Sequence, residues 1–176
     1  MRPMRRATTS STPGYGSRLY AEWNLPAISG RKNRIRHMTS QTVINAPRDL
    51  IDAALAARDR AYAPYSKFHV GAALRTERGQ IIAGCNVENA AYPEGVCAEA
   101  GAISAMVLSG ETKFDEIVVV GLGDVACTPC GGCRQKIREF TGSDATIYII
   151  NDAGKTLLTL TREELIPHSF GPENLK

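Results

Sequence analysis

Two short cysteine motifs constrain this chain more than anything else in it. Cys97-Ala98-Glu99 opens one predicted helix, and Pro129-Cys130-Gly131-Gly132-Cys133 opens another. The two-residue gap between Cys130 and Cys133 lets one turn present both sulfurs to a single ion. If Cys97 joins them, the fold must bring two helix N-termini to one point. Three thiolates at about 2.3 Å satisfy Zn²⁺ and leave a fourth position for water, which separates a catalytic from a structural site. Glu99 lies in the first helical turn, where it reaches that water without being a ligand. A carboxylate there takes a proton from the water and delivers it to a substrate nitrogen. Helix N-termini favour thiolate over thiol through their free N–H groups and dipole. They are needed, because three thiolates leave the site at −1 and make the metal a poorer Lewis acid. Arg134, next to Cys133, is the candidate for the remaining balancing charge.

Other chemistries fit part of this pattern. A Cys-x-x-Cys pair alone suits a structural zinc knuckle or a redox motif. Cys127 extends the pair to Cys-x-x-Cys-x-x-Cys, reminiscent of iron–sulfur ligation. That run lacks a fourth Cys followed by Pro and leaves Cys97-Ala98-Glu99 unexplained, so zinc accounts for more. Cys85, late in a predicted strand, is expected in the core, as are Tyr62 and Tyr148. His69 and His168 have no metal-ligand spacing.

With 176 residues, 43% hydrophobic and 22% charged, the chain suits one globular domain. Its longest apolar runs, such as Ile117 to Val120, are too short to cross a bilayer. No signal peptide is visible, so a reducing, cytoplasmic setting is the default expectation, in which cysteines serve as metal ligands rather than disulfides. Charge is uneven. Residues 1–45 hold eight basic side chains against the single acid Glu22, whereas the remaining 131 hold 13 bases against 17 acids. The basic stretch is rich in Ser, Thr, Pro and Gly and has no apolar period, the composition of an extension that does not fold alone. It fits an arm for anionic surfaces, an organelle transit segment or a docking segment, but a dispensable extension accounts for it best; Met38 is a candidate alternative start. It lacks aromatic–basic interleaving, and the rest of the chain is net acidic, so nucleic acid is not the expected partner.

From residue 46 the pattern is orderly. Pro47 suits the first position of a helix carrying Leu50, Ile51, Ala54 and Leu55. Phe68 to Thr76 and Gln80 to Asn86 read as strands around Glu77-Arg78-Gly79. An apolar helix follows from about Cys97 to Ser109, then a buried strand over Ile117 to Val120 and a helix from about Cys130 to Phe140. Ala145 to Asn151 and Thr156 to Leu160 form a last strand pair, and Thr161 with Glu164 makes a capping box for a short final helix. Strands interleaved with helices predict an α/β fold, a three-layer α-β-α sandwich around a central mixed sheet.

Residues 47–176 resemble the small, homotetrameric class of cytidine deaminases. The resemblance rests on the stretch from Ala63-Pro64-Tyr65-Ser66 through Phe68 to Leu74, on Asn86-Val87-Glu88-Asn89-Ala90, and on both cysteine motifs. Ser169-Phe170-Gly171-Pro172-Glu173 completes it, all in family order. A Pro-Cys-x-x-Cys signature with a non-ligand Glu is itself a mark of nucleobase deaminases. The resemblance implies one zinc per subunit, attack of activated water at C4 of cytosine, protonation of N3 by Glu99, and loss of ammonia. It further implies that Asn86 and Glu88, alternating on one strand face, hold a ribose hydroxyl, so that free cytosine is rejected. Phe68 would be a flat wall for the pyrimidine, and Ala98 and Glu99 would meet the base edge. Phe170 would complete the pocket of a neighbouring subunit, with Tyr92 at a subunit boundary. One departure stands out: the family's Cys-Ala-Glu-Arg has Ala100 here in place of arginine, which removes its usual charge balance.

The expected activity is therefore deamination of cytidine and deoxycytidine. A related deaminase acting on another aminopyrimidine or aminopurine, such as a blasticidin-type antibiotic, is the alternative. A nucleic-acid-binding or editing protein using the basic extension is an alternative of another class.

Overall fold

A computed structural model describes residues 43–175, which lie in one compact unit. The basic extension assigned to residues 1–45 falls, over residues 1–42, outside the described residues. Nine elements matter: α1 (Arg48–Arg58), β1 (Gly71–Thr76), β2 (Ile81–Cys85), α2 (Ala98–Leu108), β3 (Phe114–Val120), α3 (Gly131–Glu139), β4 (Thr146–Ile150), β5 (Thr156–Thr161) and α4 (Arg162–Leu165). The five strands form one sheet in the order β2-β1-β3-β4-β5. Only β3 and β4 are parallel, and the connection between them runs through α3. The other neighbours are antiparallel, so the sheet is mixed as expected.

The central strands are apolar on both faces because both faces are covered. Ala72, Leu74, Ile117, Val119, Ile147 and Ile149 point into a core shared with α2 and α3. The intervening Ala73, Val118, Val120, Tyr148 and Ile150 point into a second core under Leu50, Ile51 and Ala54 of α1. Helices on both faces of the mixed sheet make this the three-layer α-β-α sandwich of the sequence expectation. Among the described residues no helix is long and apolar enough to cross a membrane.

Gly84 sets the height of α2 above the sheet. A Cβ built there would fall 2.6 Å from the Ala98 carbonyl oxygen and 2.8 Å from the Gly101 carbonyl carbon, and would collide with the Ala102 nitrogen. The helix backbone therefore rests directly on β2, a contact that only glycine permits.

Several local expectations change. Pro47 is the N-cap of α1 rather than its first residue; its carbonyl accepts from Ile51 N at 3.0 Å, and proline's fixed φ suits either place. Likewise Cys97 and Cys130 are N-caps, each one residue ahead of its helix. Strand β1 begins at Gly71, not Phe68. The Asn86 side chain takes Val70 N (2.8 Å) and Phe68 O (2.9 Å) out of any strand ladder, and Lys67 turns to φ 59°. Strand β2 ends at Cys85, and residues 86–88 run extended between Tyr62 and Val96, which bridge Val87 from either side. This pairing leaves Tyr62 exposed rather than in the core, whereas Tyr148 is buried as expected. Cys85 is half-exposed and lines a hollow with Ala57 and Arg60 of the α1 end. The Thr161–Glu164 capping box is present in full.

Candidate active site

Both cysteine motifs arrive at the same point because α2 and α3 pack side by side on one face of the sheet. Cys97 and Cys130 cap the two helices with extended backbones (ψ 154° and 167°), which leaves their sulfurs at the helix N-termini. Cys133 follows in the first turn of α3 and is buried. The three sulfurs lie within 4.8 Å of one another, with Cys97 Sγ and Cys130 Sγ 3.9 Å apart. Tetrahedral thiolates at about 2.3 Å from zinc stand about 3.8 Å apart, so this triangle fits the ion with little movement. The donor set fits too: three soft sulfurs, and nothing harder among them. Cys127 is not part of the cluster; its side chain instead packs on Gly121, which breaks up the iron–sulfur-like run. Cys97, Cys130 and Cys133 thus form a binding site for a single zinc ion.

The electrostatics follow the helix ends. The backbone N–H of Cys133 donates to Cys130 Sγ and holds that thiol below its ordinary pKa. Burial pushes the Cys97 thiol up, with the Cys133 side chain partly offsetting it. Burial, followed by the neighbouring Glu99 carboxylate, pushes Cys133 up most strongly. A bound cation reverses this logic, since a coordinating thiol is deprotonated outright.

Glu99 is 4% exposed, and its Oε2 accepts from Cys133 Sγ at 3.4 Å. A carboxylate at this depth, beside but outside the sulfur triangle, is placed to handle a proton there. The cavity above has a volume of about 670 Å³, within the range of small-molecule sites. Cys97, Ala98, Glu99, Cys127 and Cys130 line its metal end, and Asn86, Glu88, Tyr65, Ser66 and Tyr92 its other walls.

The remaining expected site residues are placed as follows. Asn86 and Glu88 both reach the cavity, and both also brace the loop before β1. Glu88 Oε2 accepts from Tyr65 N (2.9 Å) and Ser66 N (3.2 Å), while its Oε1 accepts from the Ser66 hydroxyl. The Ser66 hydroxyl, foremost, lowers the Glu88 pKa. Phe68 leans on Gly121, where a Cβ would lie 3.3 Å from the ring edge and 2.6 Å from Cys127 Cβ. Tyr92 is 79% exposed and meets Tyr65 edge to face at 6.4 Å. Phe170 is 58% exposed and does not line its own chain's cavity. Arg134 donates to Pro129 O (2.8 Å), Leu165 O (3.1 Å) and Thr128 Oγ1 (3.3 Å). Its guanidinium braces the loop that carries Cys130. Ser66 and Gly84 carry no expected role in the sequence, although a glycine inside a strand pattern signals close backbone approach.

Comparison with known proteins agrees with this geometry. The family described as "Cytidine and deoxycytidylate deaminase zinc-binding region" matches residues 45–150. The chain is 43% identical over 126 residues to a cytidine deaminase of Sporosarcina psychrophila, covering 72% of this chain and 92% of the relative. It is 40% identical to a probable cytidine deaminase of Dictyostelium discoideum, over 71% of this chain and 84% of that one. The crystal structure of cytidine deaminase from Burkholderia pseudomallei superposes with a TM-score of 0.67 at 40% identity, covering 71% of this chain and 99% of that one. A sulfur triangle sized for zinc, a buried glutamate beside it and these similarities converge: the chain is an enzyme of the zinc-binding cytidine and deoxycytidylate deaminase family.

Proposed function

We propose that the enzyme hydrolyses cytidine and deoxycytidine to uridine and deoxyuridine with release of ammonia, a reaction of pyrimidine salvage. The observation that carries this is the buried Glu99 carboxylate, 3.4 Å from Cys133 Sγ and lining a cavity with ample room for a nucleoside. Zinc held by Cys97, Cys130 and Cys133 supplies Lewis-acid activation of water when bound. Glu99 would take one proton from the water as its oxygen bonds to C4 and place it on ring N3, then carry the remaining proton of the new C4 hydroxyl to the amino group, so that the C4–N bond breaks, C4=O forms and ammonia leaves. Because Glu99 is fixed in the first turn of α2, the transfer needs no side-chain search. Ala98 flanks the base edge, and Cys127 with Val70 lines an apolar wall; Phe68 does not line the cavity and backs this wall from Gly121, beside Cys127.

Asn86 and Glu88 keep spare capacity for a ribose hydroxyl. One Asn86 amide hydrogen is committed to Phe68 O, which leaves the other free to donate. On Glu88, Oε1 accepts only from Ser66 and can accept once more. A site built to pair that hydroxyl rejects the free base by leaving these groups unsatisfied. Tyr92 lines the cavity and is largely exposed, and Phe170 is exposed without lining its own chain's cavity. Both fit a homotetramer in which Phe170 closes a neighbour's site. Charge balance at the three thiolates falls to the helix N-termini, represented by the Cys133 N–H on Cys130, with Arg134 one residue further on.

An ultraviolet assay of purified enzyme against cytidine, deoxycytidine, cytosine, adenosine, blasticidin S and a cytidine-containing oligonucleotide, with zinc analysis alongside, tests the proposal. Turnover confined to the two nucleosides, with one zinc per chain, is expected. Faster turnover of any other substrate in the panel would refute the assignment.

A further inference from the structure

Arg138 takes no part in the chemistry above, yet it is among the few charged residues buried in the described part of the chain, with a side chain only 10% exposed. Its partners all come from one short stretch near the C-terminus. Nε donates to Ser169 Oγ at 3.1 Å, and Nη2 pairs with the Glu173 carboxylate. Gly171 lies flat against the guanidinium, where any Cβ would collide with it. One turn earlier on the same helix, Gln135 Nε2 donates to the Phe170 carbonyl at 2.9 Å. Residues at i and i+3 share a helix face, so Gln135 and Arg138 grip the stretch on either side of Phe170. The helix that does so is α3, which also begins with two of the zinc ligands.

We infer that Arg138 is a positioning residue. With Glu173 it straps the Ser169–Glu173 segment to α3 and so fixes where the outward-facing Phe170 ring meets the active site of a second copy of this chain. A buried arginine held by a single segment has a simpler alternative, namely plain stabilisation of the C-terminus. The two differ in what they move. A strap alters substrate binding at fixed zinc content, whereas a purely structural pair alters only the unfolding temperature.

The inference rests on Phe170 serving a neighbouring copy's site, and the experiment separates the two ideas. Steady-state kinetics on cytidine, zinc content and thermal midpoint are measured for Phe170→Ala, Glu173→Ala, Glu173→Gln, Arg138→Met and the Arg138→Met/Glu173→Ala pair. Glu173 is 59% exposed at its side chain, so its variants keep the test open if Arg138→Met folds poorly. Losing one charge-assisted hydrogen bond should raise KM about tenfold, with kcat within about twofold and one zinc per chain. The double variant should be no worse than the worse single one, as for two residues acting as a unit. Glu173→Gln, which keeps an acceptor, should recover most of the loss. If Phe170→Ala raises KM but Glu173→Ala shifts only the thermal midpoint, the strap is wrong and the role of Phe170 stands. If Phe170→Ala leaves KM unchanged, both fall.

Discussion

Replacing Gly84 by alanine is the sharpest test of how the fold positions the chemistry, because the residue neither lines the active-site cavity nor belongs to the sulfur cluster. The added methyl would sit 2.6 Å from the Ala98 carbonyl oxygen and 2.8 Å from the Gly101 carbonyl carbon. Ordinary contact begins near 3.4 Å, so clearing the Ala98 oxygen alone lifts α2 by about 0.8 Å at its first turn and clearing the nearer Ala102 nitrogen lifts it further, which reaches the ~1 Å scale at which catalytic misplacement matters. That turn carries Cys97 and Glu99. Forcing one methylene into a packed contact costs about 1–3 kcal/mol, equivalent to a fall of roughly 3–10 °C in thermal midpoint for a chain this size. Misplacing a catalytic group by about 1 Å costs on the order of 100-fold in rate. The assay pairs kcat/KM on cytidine with the thermal midpoint in excess zinc. A Gly84→Ala enzyme with kcat/KM within twofold of the parent and an unchanged midpoint would refute the claim that this contact sets the position of the site.

Other substitutions probe single links. Glu99→Ala should keep one zinc per chain and lose about 10²–10⁴ in kcat; substantial residual turnover at full metal content would remove Glu99 from its role. Lys67 holds φ 59°, so Lys67→Gly should relieve about 1 kcal/mol of left-handed strain and raise the thermal midpoint by a few degrees. The Glu88 carboxyl titrates below its ordinary 4.5 in the folded chain. Its contribution to stability is therefore complete above pH 4.5 and lost as pH falls through the lower folded value. Glu88→Gln should accordingly show a shallower loss of thermal midpoint below pH 4.5 than the parent, measured in parallel acid titrations.

Much of this was legible in the chain, for physical reasons that differ by residue. The cysteine motifs announced both helix starts and their convergence, because three ligands of one ion admit few arrangements. The run Ile117–Val120 announced a buried strand, and the interleaving of strands with helices announced the layered sandwich. The loop from Tyr65 to Val70 was not legible as a loop. Its end, Phe68-His69-Val70, runs into the apolar Gly71 to Leu74 and reads as strand, and only the long-range grip of Asn86 and Glu88 shows otherwise. Tyr62 misled for the same reason: its backbone pairs with a partner 25 positions away, which no local pattern encodes. Gly84 and Arg138 were visible as residues but mute as roles, since each acts through a contact formed only when distant segments pack.

The two helix starts that meet at the sulfur triangle have a consequence for the chain as a polymer. Cys97 and Cys130 are 33 positions apart, so fastening both to one ion closes a loop of that length. For a covalent cross-link of the same span, the lost freedom of the unfolded chain corresponds to about 3–4 kcal/mol. The ligands of the reaction centre are therefore also a clasp between α2 and α3. A chelator should lower the melting temperature along with the activity, and a variant that merely silences Glu99 should leave the clasp fastened.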